Sequence, residues 1–304
     1  PAAHGATLAG SAPVGLPPSA TVARGGAADI DRAAKAAKAA FPEWAAMPGK
    51  ERKKLLHKVA DAIVARAEEI AFVECMDTGQ AYRFMSKAAL RGAENFRFYA
   101  DRAPEARDGQ ALTTEGQFNY TTRVPLGPVG VITPWNFPIA MLAKKLAGAI
   151  AGGCAVVVKP AEITPLSCVA FFRLLEQVDL PKGFVNLVFG DVVPIGEVLC
   201  THPAVRVLSF TGSTPVGRLL AAQCAPHLKR LSLELGGNAP FLVFEDADLD
   251  DAVERLLANK FRAAGQTCVC ANRLYVQSGV YDAFAEKLGQ AVAALKCGDE
   301  LAGS

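Results

Sequence analysis

The chain has 304 residues, of which 51% are hydrophobic and 20% are charged, and its 32 basic residues nearly balance its 30 acidic ones. This length and composition predict a globular protein with two domains and ample core material. Because the sequence contains no dense run of Lys or Arg, we predict no binding to nucleic acid or to an anionic membrane.

The first third of the chain is predicted to be mainly helical. Residues 1–26 are rich in Gly, Pro and Ala, which predicts irregular structure and is not typical of a signal peptide. Apolar residues then recur at helical spacing in three segments, near 30–41, 56–70 and 81–100. The alternating segment 118–124 predicts an exposed strand that leads into a Pro/Gly-rich bend.

From Val129 onward, short β-branched runs alternate with helical segments. The predicted strands are 129–133, 155–158, 185–189 and 205–210, and the helices between them lie near 138–151, 164–178 and 194–201. This alternation predicts a doubly wound parallel sheet, which binds ligands at the carboxyl ends of its strands. A second α/β unit begins after residue 237, with strands 241–244 and 273–277 on either side of a helix at 249–264.

The positions of cysteine, histidine and proline argue against other classes of protein. The eight cysteines include no C-x2-C pair, which favours reduced thiols and a cytoplasmic location. The four histidines lie in no metal-ligand spacing, so we predict no metal site. The longest uncharged apolar stretch, Val124 to Ala143, is interrupted by prolines and predicts two short buried elements joined by a turn, rather than a membrane span.

Three polar clusters follow predicted strands, where such a sheet binds ligands. Asn136 lies between an aromatic residue and a proline-fixed turn and offers an N–H donor, although a turn-forming role is the alternative. Lys159 and Glu162 follow an apolar strand and are suited to holding sugar hydroxyls. Gly212 and Ser213 form a glycine turn before a helix, which suits a phosphate.

A fourth cluster combines a thiol with a carboxylate. Cys268 follows a helix, and Glu234 lies among leucines, so the pair suggests a nucleophile and a partly desolvated base. The alternatives are a cysteine that packs as a small buried hydrophobe and a glutamate on the exposed side of a strand. Cys270 leaves two alternatives of its own, a strained and reducible disulfide with Cys268 or simple packing.

In order and spacing, five motifs resemble the signature set of the aldehyde dehydrogenase superfamily. They are Trp135-Asn136-Phe137-Pro138, Lys159-Pro160-Ala161-Glu162, Gly212-Ser213-Thr214, Glu234-Leu235-Gly236-Gly237 and Gly265-Gln266-Thr267-Cys268. The resemblance extends over about residues 27 to 297. The second half is most similar to succinate-semialdehyde dehydrogenases, whereas the part before residue 128 looks more like the hydroxymuconic-semialdehyde branch.

The resemblance implies a fold and a domain order. We expect an aldehyde dehydrogenase-like α/β fold, with a doubly wound parallel-sheet nucleotide-binding domain and an incomplete α/β catalytic domain. The expected division is 1–107 for the N-terminal part of the coenzyme-binding domain, 108–126 for an oligomerisation arm, 127–235 for the Rossmann-like NAD-binding domain, and 236–304 for the first part of the catalytic domain. Members normally continue to a Glu-x-Phe-Gly-Pro motif, so we expect a C-terminally truncated chain that forms a homodimer or homotetramer at full length.

The resemblance also implies a role for each candidate site residue. Cys268 would be the nucleophile, Glu234 the base that activates water, and Asn136 a donor to the oxyanion. The implied cofactor is NAD, with NADP as the alternative, and the residues expected to bind it are Trp135, Lys159, Glu162, Gly212, Ser213 and Leu235. Arg262 would pair with the distal carboxylate of a dicarboxylic semialdehyde such as succinate semialdehyde. Lys144 stands where an arginine is expected.

Two other functions remain open from the sequence. One is a catalytically silent chain that only binds nucleotide or partners, and the other is a thiol esterase that needs no cofactor. Cofactor dependence separates the esterase from the dehydrogenase, and turnover separates both from the silent chain.

Overall fold

The computed structural model describes residues 5, 7–9 and 20–298 of the chain. Two short strands, β1 (Thr7–Ala9) and β2 (Thr21–Ala23), pair in antiparallel orientation. The sequence predicted irregular structure here, and the prediction was wrong for these strands because three residues are too few to show an alternating pattern. Most of the remaining predicted segment 1–26 lies outside the described residues.

The N-terminal helices are more numerous than the apolar periodicity predicted. They are α1 (Ala27–Ala46), α2 (Gly49–Ala65), α3 (Ala67–Thr78), α4 (Tyr82–Met85) and α5 (Ala88–Arg102). The segment predicted as one helix at 56–70 breaks at Arg66, whose backbone (φ −120°, ψ 22°) is not helical. Ile63 and Ile70 are buried on either side of the break. The helical spacing of apolar residues therefore continues across Arg66 and does not show that the helix breaks there.

An antiparallel hairpin follows the helices. It consists of β3 (Ala111–Thr114) and β4 (Gln117–Tyr120), in register from Ala111 opposite Tyr120. The strand predicted at 118–124 therefore starts slightly earlier and ends at Tyr120. Phe118 and Tyr120 are largely exposed, as expected for a strand outside the core.

The central sheet has five parallel strands in the order β7-β6-β5-β8-β9. They are β5 (Val129–Ile132), β6 (Val156–Lys159), β7 (Val185–Leu187), β8 (Val207–Thr211) and β9 (Arg230–Glu234). The helices that connect them are α6 (Pro138–Ala151), α7 (Leu166–Leu175), α8 (Val192–Thr201) and α9 (Thr214–Cys224). The order reverses between β5 and β8, so a ligand cleft is expected at their carboxyl ends.

The apolar stretch around residues 124–143 folds as predicted, into β5, a turn and the start of α6. Pro138 occupies the first turn of α6, where its missing N–H has no helical partner to lose. Among the described residues, none of the helices is long and apolar enough to cross a membrane.

One hydrophobic core joins the N-terminal helices to the central sheet. Trp44 of α1 packs against Phe184 with ring centroids 4.1 Å apart, and its indole N–H donates to the carbonyl of Ile150 (3.0 Å). Burying a side chain of this size contributes about 2–3 kcal/mol to folding. The N-terminal helices therefore form a structural unit with the sheet that they cover.

The chain after residue 237 forms a smaller unit with its own core. Its elements are β10 (Ala239–Val243), α10 (Leu249–Lys260), β11 (Ala271–Val276) and α11 (Tyr281–Ala293). The two strands pair in parallel, and Val243, Leu256 and Phe284 are buried between them and the helices. The helix predicted at 249–264 ends at Lys260 and is followed by a 3₁₀ turn.

Candidate active site

The loop that carries Cys268 begins with an unusual backbone turn. Ala263, Ala264 and Gly265 have φ values of 53°, 53° and 77°, so three consecutive residues lie in the left-handed region. Alanine reaches this region only at a cost of roughly 1–2 kcal/mol. Strain of this kind clusters at functional sites, where the surrounding structure maintains it. The turn directs the following residues, up to the exposed Cys268, across the end of the central sheet.

The two thiols of this loop differ in environment. Cys268 is exposed, whereas Cys270 is buried, and both are free. The Cys270 thiol lies 3.5 Å from the carbonyl oxygen of Gly265, and the Lys260 ammonium lies 3.8 Å from its sulfur. Cys270 therefore packs against the back of the loop, in line with the simpler of the two alternatives for it. The disulfide with Cys268 stays a hypothesis.

Glu234 ends β9 and faces the same cavity as Cys268. The side chain is exposed rather than partly desolvated as the flanking leucines suggested, because β9 is an edge strand of the sheet. After Glu234 the chain passes close to the loop that carries Cys268. A Cβ atom on Gly237 would lie 2.8 Å from the carbonyl oxygen of Cys268, so this approach requires glycine.

Asn136 lies in the turn between β5 and α6. Its side-chain amide donates to the carbonyl oxygen of Gln266 at 2.7 Å, two residues before Cys268. An asparagine amide has two N–H groups, so a second donor remains beyond this bond. The contact places the Asn136 side chain against the loop that carries Cys268, as its predicted role as a donor requires.

A cavity of about 810 Å³ lies at the carboxyl ends of the central strands, within the usual size range of ligand pockets. Nine of the eleven predicted site residues line it: Trp135, Asn136, Lys144, Gly212, Ser213, Glu234, Leu235, Arg262 and Cys268. Lys159 and Glu162 are outside this lining and form an ion pair of 2.5 Å after β6. Among the residues that the structure describes, no three His, Cys, Asp or Glu side chains are grouped as metal ligands.

The start of α9 is shaped to approach β9 closely. A Cβ atom on Gly217 would lie 2.5 Å from the side chain of Leu235, so the last glycine of the Gly-Ser-Thr-x-x-Gly segment permits this packing. Ser213, the residue before α9, does not cap the helix with its hydroxyl. The first-turn N–H groups of α9 therefore remain suited to an anion such as a phosphate.

Lys145 is a residue of the cavity that the sequence analysis missed. Its ammonium donates to the hydroxyl of Ser209 at 2.8 Å. Burial lowers the pKa of Lys145 to about 8, against the attraction of the Glu234 carboxylate and with a further lowering from Lys144. Met141, Lys145 and the residue at 148 share the face of α6 that lines the cavity, and this helical spacing was the available signal.

A doubly wound sheet is the architecture that many α/β proteins use to bind nucleotides, and here an exposed thiol and a carboxylate, groups suited to covalent catalysis, line one cleft at its strand ends. The chain belongs to the aldehyde dehydrogenase family, whose model matches residues 3–304. This result confirms the resemblance inferred from the five motifs and the α/β fold expected from it.

Curated relatives and solved structures support the same family. The chain is 44% identical over 290 residues to succinate-semialdehyde dehydrogenase [NADP(+)] of Escherichia coli, covering 92% of this chain and 58% of the relative. It is 45% identical over 282 residues to 3-sulfolactaldehyde dehydrogenase of Pseudomonas putida, covering 90% of this chain and 57% of the relative. A crystal structure of succinate-semialdehyde dehydrogenase from Burkholderia pseudomallei superposes with a TM-score of 0.97 at 43% identity, covering all of this chain and 63% of that one. The chain thus spans less than two thirds of the length of each.

Proposed function

We propose that a protein carrying this chain oxidises an aldehyde to the corresponding acid with NAD(P), through a covalent intermediate on Cys268. One observation carries the proposal: an exposed thiol, a carboxylate and an amide donor line a single cavity at the switch point of a nucleotide-binding sheet. Family membership supports the same chemistry.

In this mechanism Cys268 attacks the aldehyde carbon as a thiolate and forms a thiohemiacetal. The negative oxygen that results is stabilised by the second N–H of Asn136 and by the backbone N–H of Cys268. Donors of this kind are worth about 2.7–4 kcal/mol each. The contact between Asn136 and the Gln266 carbonyl supports the assignment, because it fixes the amide beside the loop that carries the nucleophile.

The residues around α9 and β6 fit a dinucleotide. The uncapped first turn of α9 would hold the pyrophosphate, with Ser213 beside it and Trp135 in the lining of the same cavity. Lys159 and Glu162 emerge together from β6 and would hold the adenosine ribose. A bound nicotinamide would supply the hydride acceptor that oxidation of the thiohemiacetal on Cys268 to a thioester needs. Glu234 then takes a proton from water to release the free acid.

For the substrate we propose an aldehyde with a distal anionic group. Lys144, Lys145 and Arg262 bring three cationic side chains to the cavity, against the single carboxylate of Glu234. The Arg262 guanidinium lies over the ring of Phe137, 5.4 Å from its centroid, which holds it at the cavity wall. Relatives named for succinate semialdehyde, glutarate semialdehyde and 3-sulfolactaldehyde all act on anionic aldehydes, in agreement with this proposal.

The direct test is reduction of NAD by a protein that carries this sequence, with those three aldehydes as substrates. NADH formed only when aldehyde is present supports the dehydrogenase. NAD binding without reduction would favour the silent nucleotide binder, and ester hydrolysis without NAD would favour the thiol esterase.

Replacing Lys144 by arginine is expected to lower the KM for succinate semialdehyde roughly tenfold with little change in kcat. Arginine restores a planar fork that binds a carboxylate through two hydrogen bonds, and one extra charge-assisted bond is worth about 1.5 kcal/mol. Lys144→Met should raise the KM instead. An aldehyde without an anionic group, such as propanal, serves as the control, and equal KM changes with both aldehydes would contradict the role of Lys144.

NAD is expected to be used with a higher kcat/KM than NADP. Glu162 places a carboxylate where we propose the ribose to bind, and a 2′-phosphate there would bring two negative charges together. Glu162→Gln should therefore raise kcat/KM for NADP relative to NAD. The Escherichia coli relative carries NADP(+) in its name, and a wild-type preference for NADP would refute this expectation.

The domain division is likewise our proposal. The shared core supports assigning residues 1–107 and 127–235 to one coenzyme-binding domain. The separate cluster around Val243 and Phe284 supports a catalytic unit over 236–304. The exposed aromatic side chains of β4 support an oligomerisation arm at 108–126, because they offer an apolar surface to a second copy of the chain.

A further inference from the structure

The C-terminal end of α3 packs behind the turn that carries Asn136. Gln80 is buried, and its side-chain amide donates to the main-chain carbonyl of Asn136 at 2.5 Å. Glu74 is also buried, and its carboxyl accepts from the backbone N–H of Ile139 at 3.2 Å. Glu74 in α3 and Gln80 just after it therefore hold both ends of the Asn136–Ile139 segment, and both side chains lie outside the lining of the cavity.

The backbone around Gln80 is fixed by contacts of its own. The thiol of Cys75 donates to the carbonyl of Gln80 at 2.9 Å, and the N–H of Gln80 donates to the hydroxyl of Thr78 at 3.3 Å. Gly79 has φ 67° and ends α3 in the left-handed conformation that glycine adopts most easily. Gln80 is thus a rigid support, because its main chain is held on both sides.

The turn that Gln80 contacts depends on such outside support. Phe137 precedes α6 and supplies no side-chain cap to the helix, so the N–H of Ile139 relies on Glu74. The main-chain carbonyl of Asn136 is bound by Gln80, and a buried carbonyl that loses its partner costs about 1–3 kcal/mol. Rotation of this peptide would move the Asn136 side chain away from the Gln266 carbonyl and from the nucleophile loop.

We propose that Gln80 is a positioning residue for the oxyanion donor: it holds the peptide of Asn136, and through the Asn136–Gln266 hydrogen bond it holds the loop of Cys268. The expected effect on catalysis rests on the proposed function. The expected effect on the position of the Asn136 turn rests on the hydrogen bonds alone. Gln80 touches neither substrate nor cofactor in this assignment.

The kinetic test compares Gln80→Leu and Gln80→Lys, with Asp77→Ala as the control, in an active protein that carries this sequence. Gln80→Leu is expected to lower kcat 10- to 100-fold with KM values for aldehyde and NAD changed less than threefold, because a shift of about 1 Å at a catalytic group costs on that order. Gln80→Lys keeps a donor for the Asn136 carbonyl and should recover most of the lost kcat. Equal losses for Gln80→Leu and Gln80→Lys would overturn the proposal.

Asp77→Ala is the matched control, three residues before Gln80 in the last turn of α3. Asp77 is buried like Gln80, but its carboxylate accepts from the N–H and hydroxyl of Ser167, at the start of α7 instead of α6. The control should lower the melting temperature while kcat stays near the wild-type value. If Asp77→Ala lost as much kcat as Gln80→Leu, the loss would reflect general destabilisation, and Gln80 would have no positioning role.

Hydrogen exchange measured by mass spectrometry gives a readout that does not require turnover. Gln80→Leu should speed exchange in residues 134–138 and 265–268, whereas Asp77→Ala should speed it near 166–168. If the wild-type protein forms no NADH but this exchange pattern appears, the proposed function fails and the positioning contact stands. Unchanged exchange at 134–138 in Gln80→Leu would refute the positioning role whatever the activity, and Gln80→Met provides the same measurement if the leucine variant does not fold.

Discussion

Replacing Cys268 by alanine is expected to lower kcat for aldehyde oxidation by roughly 10⁴- to 10⁶-fold, the loss typical of removing a catalytic nucleophile. Without the thiol no thiohemiacetal forms. The aldehyde carbon is then not bound to the enzyme, and no hydride is transferred from it. Cys268 is the exposed thiol of its loop, and the backbone of Gly237 and the side chain of Asn136 both lie against that loop. The measurement is NADH formation in a single turnover, which detects even a slow residual reaction.

Cys270→Ala is the control for this result, because it removes a thiol two residues away. Cys270 is buried against the Gly265 carbonyl, so its loss should lower stability by about 1 kcal/mol and leave most of the activity. Alkylation with iodoacetamide followed by peptide mass analysis should label the exposed Cys268 before the buried Cys270. An inactive Cys270→Ala protein beside an active Cys268→Ala protein would show that the nucleophile has been misassigned.

The local sequence pattern predicted most of the central sheet and the position of the site. The β-branched runs near 129–133, 155–158 and 205–210 became β5, β6 and β8. Pro134 after β5 and the carboxyl ends of β8 and β9 line the cavity, whereas Lys159 at the end of β6 lies outside its lining. Buried parallel strands show such runs because both of their faces are covered. β9 was not among the predicted strands, but its alternation of leucines with polar residues fits the alternative given for Glu234, a glutamate on the exposed side of a strand.

The groups that the sequence did not reveal depend on contacts between distant segments. The side chain of Gln80 contacts the carbonyl of Asn136, 56 positions away in the sequence, and the half-buried Lys145 contacts Ser209, 64 positions away. Neither residue differs in its local pattern from an ordinary surface side chain on a helix or loop. The exposure of Glu234 has the same origin, since it depends on which segments cover the edge of the sheet rather than on the neighbouring leucines.

Glu234→Gln is expected to separate the two halves of the reaction. Glutamine has the shape of glutamate but cannot take a proton from water, so the thioester should form and then persist. We expect a burst of about one NADH per active site, followed by steady-state turnover slower by 10²- to 10⁴-fold, the usual contribution of a general base. The exposed position of Glu234 at the end of β9 leaves room for water beside it.

The step that Glu234→Gln blocks is identified by adding a nucleophile that needs no base. Hydroxylamine should attack the accumulated thioester and raise the slow turnover, whereas it should not rescue Cys268→Ala, in which no thioester forms. Glu245→Gln is the matched control, because it removes an equally exposed carboxylate just after β10 and outside the cavity lining. That variant should keep wild-type turnover. If Glu234→Gln also turned over at the wild-type rate without a burst, another group would activate water. The half-buried Lys145 would then be the next residue to replace, because its pKa is lowered to about 8 and its neutral amine is a base.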